Sequence, residues 1–205
     1  MSNLFTLHYL PCIAWFQHYV RLPDCTLEKF DHYNKQTYRN RCKILGANGE
    51  LDLIIPVKKN GAKQLYASIA IENDFDWRSQ HWQSIQSAYG KSAYFEFYTD
   101  YFIRIYKDNT IESLYEFNLT VLKLILKCLK LEQPLQFSSA YISETTEMID
   151  FRFNFNPKNK SRENELITPI QYWQVFEEKF GRIQNLSILD LLFNLGPDSL
   201  SLLKK

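Results

Sequence analysis

Leu4-Phe5-Thr6-Leu7-His8-Tyr9-Leu10, closed by Pro11 and followed by Cys12-Ile13-Ala14-Trp15-Phe16-Gln17-His18-Tyr19-Val20-Arg21, decides the fold class. The first run is short, apolar and stopped by a proline, as a buried strand is. The second fits a helix, with Ile13, Phe16, Gln17 and Val20 on one side and Pro23 just past its end. Cys25 to Phe30 reads as a second strand. Strand, helix and strand in so few residues make a βαβ opening with a right-handed crossover. The fold class is therefore α/β (or α+β), with a Rossmann-like start.

Working outward, Tyr38 to Leu45 and Leu51 to Val57 flank Gly46-Ala47-Asn48-Gly49. Asn-Gly between apolar runs predicts a hairpin, because both residues tolerate positive φ. Pro56 puts the second strand at an edge or at its end. Gly61 marks a further turn, and Leu65 to Glu72 alternates weakly as a third meander strand. These segments predict a mixed sheet drawn from the first 72 residues. Helices from residues 75 to 131 pack on it. Asp74 or Asp76 caps the first of them, which runs to Tyr89 and closes at Gly90. Ser92 caps the second, with Phe95, Tyr98, Tyr101, Phe102 and Ile105 inward. Asn109 or Thr110 starts the third, which runs to about Leu131 on a buried stripe of Leu114, Phe117, Val121, Leu122, Ile125 and Leu129.

Leu135 to Ile142 is a candidate strand, and 154–165 is the most polar stretch, read as a loop. Tyr172 to Phe180 fits helix and strand alike. Ser187 with Asp190 three residues on resembles a capping box for a helix to Leu195, stopped by Gly196-Pro197. A short helix, Asp198 to Leu203, follows, so the C-terminal segment is helical. The chain reads as one domain, 1–205.

Apolar residues make up 45% of the chain and aromatics 16%, which predicts an aromatic-rich core. A net charge of +1 sets up no long-range field for nucleic acid or an anionic membrane. The longest apolar candidate, 119–131, is broken by Lys123, Lys127 and Lys130, so no membrane span is expected. The N-terminus has neither a basic n-region nor a long apolar h-region, so a cytoplasmic location is expected. Cys12, Cys25, Cys42 and Cys128 form no C-x-x-C pair and read as reduced, buried thiols. No H-E-x-x-H, G-x-G-x-x-G, Walker or G-x-S-x-G pattern occurs, so neither a metal nor a cofactor is expected.

The chemistry concentrates between Lys35 and Lys43. If Tyr38 to Leu45 is a strand, Arg39, Arg41 and Lys43 share one face, while Tyr38, Cys42 and Ile44 share the other, buried one. Adjacent cations repel unless an anion sits among them, and Arg forks bind phosphate or carboxylate in pairs of bonds. If the segment is helical, Lys35, Arg39 and Lys43 align instead. The predicted anion-binding set is Lys35, Gln36, Arg39, Asn40 and Arg41, and the guest is a nucleotide-sugar, an acidic glycan or an acyl donor. His32 and Tyr38 are the candidates for proton transfer beside it.

Each sharper reading has a plainer rival. The basic residues could line a solvated edge strand or pair with internal carboxylates. His32 could be a structural histidine, and His81, between Trp77 and Trp82 on an apolar helix face, a satisfied core residue. Cys12 at a helix start could be an activated nucleophile, or an inert buried thiol. Tyr33, Tyr38 and Trp77 could stack on a sugar or base, or belong to the core. Asp190 could pair with an arginine of the basic segment, or serve its helix start.

Three stretches together carry a family resemblance. The first is Asn34-Lys35-Gln36-Thr37-Tyr38-Arg39-Asn40-Arg41-Cys42-Lys43-Ile44, with Gly49 and Leu53-Ile54-Ile55-Pro56-Val57. The second is Trp77, His81-Trp82, Ser87-Ala88-Tyr89 and Tyr94-Phe95-Glu96-Phe97-Tyr98. The third is Tyr172-Trp173-Gln174-Val175-Phe176 and Asn185-Leu186-Ser187-Ile188-Leu189-Asp190 through Pro197. In this order they resemble the WbqC-like family, most of all its Bacteroidetes branch. Two places depart from its pattern. His8-Tyr9-Leu10-Pro11 stands where the family often has Gln-Pro-aromatic, and Gly181 is followed by Arg182-Ile183-Gln184 rather than an aromatic and a proline. The resemblance implies an association with O-antigen or other surface-polysaccharide gene clusters and transfer of a glycine or other (amino)acyl group to sugar. It carries over no catalytic residue. A non-catalytic glycan- or protein-binding module is the alternative. RNA binding through Tyr38-Arg39-Asn40-Arg41 is the weakest, given the near-neutral charge.

Overall fold

The computed structural model describes residues 2–58, 63–158 and 160–205, without the side chains of 160–162. The expected turn at Gly61 lies outside them. The βαβ opening is present as β1 (Ser2–Thr6), α1 (Ile13–Arg21) and β2 (Cys25–Glu28). β1 and β2 are parallel, with Leu4 opposite Thr26. β1 stops at Thr6, short of the expected Leu10. Beyond it Tyr9 donates its backbone N–H to the carbonyl of Tyr38 (2.8 Å) rather than to a strand.

The hairpin forms as β3 (Arg41–Gly46) and β4 (Gly49–Ile54). Gly46 pairs with Gly49, so the two-residue turn is Ala47-Asn48, and Gly49 takes φ 111°, which favours glycine. The third meander strand does not form. Residues 65–72 hold one 3-10 turn, Tyr66–Ser68, and isolated bridges. Their backbone is used elsewhere: Tyr66 N–H donates to Asp31 (2.7 Å) and Ile71 N–H to Glu112 (2.7 Å).

The helices α2 (Trp77–Tyr89), α3 (Phe95–Lys107) and α4 (Leu114–Cys128) follow as expected, and two caps differ. Asp76 accepts from Ser79 N–H (3.2 Å) at the head of α2. Ser92 donates its hydroxyl to the Tyr89 carbonyl (2.6 Å), closing α2 instead of capping α3. Ser113, not Asn109 or Thr110, caps α4 by accepting from Glu116 N–H (3.3 Å).

The sheet is completed from beyond the helices by β5 (Gln136–Phe137) beside β2 and β6 (Met148–Asp150) beside β1. Its order is β5-β2-β1-β6, all parallel, and the hairpin stands as a separate antiparallel pair. The expectation that one sheet comes from the first 72 residues is thus corrected, while the α/β class holds. The polar stretch read as a loop contains a helix, α5 (Lys160–Glu165). A single turn, α6 (Glu177–Phe180), resolves the ambiguous segment.

α7 (Ile188–Leu195) and α8 (Ser199–Leu203) close the C-terminus, and α7 is buried along almost its whole length. It is locked to the β1–α1 connection by Ile13 N–H to Leu186 O (2.9 Å) and Ile188 N–H to Pro11 O (2.9 Å). Ser187 caps it by accepting from Leu189 N–H (3.3 Å). Asp190 neither caps nor meets an arginine. It accepts from the Tyr172 hydroxyl (2.5 Å) and Gln174 Nε2 (2.9 Å) inside the core. After α7, Gly196 takes φ 58° and ψ −132°, and a Cβ there would stand 2.4 Å from the Tyr94 ring. Gly196→Ala should lower stability by about 2 kcal/mol or more, from backbone strain plus overlap, read as a drop in urea midpoint with unchanged slope.

Candidate functional site

The basic segment is not a strand before Arg41. Gln36 adopts φ 59°, Thr37 donates its hydroxyl to Asn34 O (2.8 Å), and Asn40 N–H reaches Thr37 O (3.4 Å). This compact turn breaks the alternation. From Arg41 to Ile44 period two holds: Cys42 and Ile44 are buried, and Arg41 and Lys43 are half-buried on the other face, until Leu45 is buried on that face too. Arg39 points inward instead. It is ion-paired with Asp31 and lies 5.7 Å from the Tyr66 ring centre. Asn40 is also structural, since its Nδ2 donates to Ile55 O (2.9 Å) and its carbonyl accepts from Ile55 N–H (2.8 Å).

The segment separates two cavities. One, of about 380 Å³, is lined by Gln36, Tyr38, Arg41, Lys43, Glu163 and Asn185, among others. The other, of about 460 Å³, is lined by Lys35, Thr37, Arg39 and Arg152. Lys158 lines both. The second lies past the carboxyl ends of β2 and β6, where open α/β sheets bind ligands. There Arg152 is neutralised by Asp150 (2.8 Å) and Glu28 (3.6 Å), which leaves Lys35 and Lys158 without ion pairs among the described residues.

The first cavity has the richer chemistry. Lys43 is bonded to Glu50 (2.5 Å), whereas Arg41 makes no ion pair among the described residues. Glu163 is 4% exposed. Its carboxylate accepts from the Tyr38 hydroxyl (3.3 Å), Asn185 Nδ2 (2.9 Å) and the Cys12 thiol (3.8 Å). Burial raises the Glu163 pKa, against those three hydrogen bonds and the Lys43 charge. Asn185 in turn accepts from Ala14 N–H (2.9 Å), so the start of α1 fixes the amide that orients the carboxylate. A carboxyl whose pKa is raised by burial, lining the same cavity as a guanidinium with no ion pair among the described residues, can serve as acid or base to a bound anion.

The remaining expected residues fall elsewhere. His32 lines neither cavity. It is half-buried, packs edge-on to Tyr141 at 6.4 Å, and its backbone N–H donates to Asp31 (2.7 Å). Cys12 stays behind Glu163, and burial together with that carboxylate pushes its thiol pKa up, which disfavours a thiolate nucleophile. His81 is a core residue that shares a hydrogen bond with the Tyr9 hydroxyl (2.9 Å), and burial lowers its pKa to about 4. Trp77 is buried and Tyr33 packs against Tyr66. Sequence reasoning missed Glu163, Asn185 and Lys158. Asn185 stood inside a quoted motif; Glu163 and Lys158 stood in the polar stretch, whose chemistry was its only signal.

Residues 7–168 match the WbqC-like protein family, which covers both cavities' basic walls and Glu163. The chain belongs to the WbqC-like family. The family match stops short of Asn185, the residue that orients Glu163. A protein of Mycobacterium tuberculosis (strain ATCC 25618 / H37Rv), "Uncharacterized protein Rv1507c", is 22% identical over 213 residues, covering 94% of this chain and 92% of its own. No solved structure matches. Among the described residues, no helix of this WbqC-like protein is long and apolar enough to cross a membrane.

Proposed function

We propose that this protein transfers an acyl or aminoacyl group, glycine foremost, to a phosphate-bearing sugar in the cytoplasmic assembly of a surface polysaccharide. The observation that carries the reading is Arg41, without an ion pair among the described residues, lining one cavity with the buried Glu163, whose pKa burial raises. The family resemblance supports the polysaccharide setting. Arg41, Lys158 and Gln36 hold a phosphate of a nucleotide-sugar, and Lys35 extends the grip on the far side of the turn. Arg39 and Asn40 shape that turn, and His32 lies outside the chemistry. The acceptor's hydroxyl or amine gives its proton to Glu163, and its lone pair forms the new bond to the donor's carbonyl carbon. The donor's ester or thioester C–O or C–S bond breaks, and the proton passes from Glu163 to the leaving atom. Tyr38, bonded to Glu163, steadies the carboxylate as it gains and loses that proton.

Nucleotide-sugars at a hundredfold excess over their Kd should stabilise the protein by about 2.7 kcal/mol, seen as a raised Tm. Arg41→Ala should weaken that binding about tenfold to a hundredfold, since a charge-assisted pair is lost. His32→Ala should leave it unchanged. Should nucleotide-sugars, nucleotides and aminoacyl donors all leave the Tm where it was, the reading falls. A second reading, a non-catalytic binding module, draws on the carboxylates Glu50 and Asp52 that share the cavity and already offset its charge. It predicts the same loss in Arg41→Ala with no group transfer by the parent protein.

A further inference from the structure

Three arginines are buried among the described residues: Arg39 at 2% exposure, Arg152 at 4% and Arg78 at 5%. The first two are neutralised, Arg39 by Asp31 and Arg152 by Asp150 and Glu28. Arg78 makes no ion pair among the described residues. Its Nη2 donates to the Ile111 carbonyl (2.7 Å), and its Nε and Nη1 have no protein partner. The guanidinium is held between the rings of Trp77 (4.7 Å) and Phe117 (4.9 Å). These faces offset part of its desolvation but accept none of its N–H bonds. A buried cation with idle donors is costly unless an acceptor arrives.

Space for one exists. Arg78 lines a cavity of about 240 Å³ between α2 and α3, together with Trp82, Gln83, Tyr106 and Lys107. Lys107 is exposed at its rim, so a second cation faces the same space. Trp82, stacked on Phe95 at 5.9 Å, supplies a flat apolar wall. The Tyr106 hydroxyl is bonded to that of Tyr9 (2.5 Å), which also meets His81 (2.9 Å), so this polar wall is held rigid from within. The volume is below the ~300–1,000 Å³ of drug-sized sites, which suits a small ligand. Among the described residues, the carboxylate that acts on Arg78 is Asp108, at the surface and without an ion pair to it.

We propose that this cavity is a second binding site, taking the phosphate or carboxylate group of a small molecule through Arg78 and Lys107 and packing its body on Trp82. It shares no lining residue with the Arg41 cavity and stands or falls independently of the transferase reading.

Tryptophan fluorescence and Tm of the full chain are followed during separate titrations with inorganic phosphate and with acetate at low ionic strength. At least one anion should give a saturable response in both signals. The fluorescence change should vanish in Trp82→Phe while the Tm shift survives. Lys107→Gln should weaken binding about threefold to tenfold, and Arg78→Met should abolish it. Methionine keeps the apolar stem between Trp77 and Phe117. If that variant does not fold, Lys107→Gln, at an exposed position, carries the test with Trp82→Phe. A response to phosphate alone or to acetate alone names the class of group. The proposal is overturned if neither anion gives a saturable response, or if the response persists in Lys107→Gln and is lost in Arg41→Ala.

Discussion

Asp31→Asn should destabilise the protein by about 3–5 kcal/mol, the usual result of removing one partner from a buried ion pair. Asp31 and Arg39 are both inside, and no water replaces a missing charge cheaply there. The single oxygen of the amide cannot serve both the guanidinium and the His32 N–H that Asp31 accepts (2.7 Å), and the guanidinium's other contacts are weak: the hydroxyls of Thr6 and Thr37, at 3.4 Å each, and the Tyr66 face. The cost extends beyond the pair because Arg39's carbonyl is itself a junction. It accepts from Asn118 Nδ2 (2.7 Å) and the Tyr66 hydroxyl (3.4 Å), tying the turn to α4 and to the 3-10 turn. The double variant Asp31→Leu with Arg39→Met should be much closer to the parent than the sum of the single losses, since it leaves no buried charge. Urea midpoints of the two single variants and the double give the coupling. A loss below about 1 kcal/mol in Asp31→Asn would show that the pair is solvated in solution.

That buried pair also marks where the sequence stopped being readable. Alternation from Tyr38 placed Arg39 on the face of Arg41 and Lys43, and it failed because Gln36 takes a left-handed conformation that a non-glycine residue rarely announces. From Arg41 to Ile44 the alternation is obeyed, since hairpin pairing alternates the faces, and it is broken only where Leu45 packs inward. β1, α1 and β2 were legible because Pro11 and Pro23 punctuate the apolar runs. β5 and β6 were not, since two and three residues carry no period of their own. They exist by hydrogen bonding to strands more than a hundred residues away. Glu163 was hidden for a related reason. Its neighbours in sequence are polar, and its burial comes from Cys12, Tyr38 and Asn185, which the chain brings from three distant places. A carboxylate's setting of this kind can be read only from contacts.

Glu163→Gln should therefore separate catalysis from folding. If Glu163 takes the acceptor's proton, its loss should lower turnover about 10²–10⁴-fold, measured as transfer of a labelled acyl group to the sugar nucleotide that raises the Tm. The parent's rate should climb as pH rises through the raised Glu163 pKa, because the carboxylate form is the base, and the variant should lack that limb. Stability should move the other way. A carboxyl whose pKa is raised in the folded state favours folding fully below its ordinary value of 4.5, and that contribution is lost as pH rises through the folded value. Once ionised, Glu163 is thus a burden, and a neutral amide of the same shape relieves it. Asn185 still finds its acceptor in the Gln oxygen, and the Tyr38 hydroxyl turns to accept from the new NH₂ that replaces Oε2. The variant should be at least as stable as the parent at neutral pH, with its advantage shrinking toward pH 4. Parental turnover in Glu163→Gln would remove Glu163 from the chemistry. Lost turnover with an equal loss of stability would make it a structural carboxylate, and the cavity beside Arg41 would keep its anion but not its base.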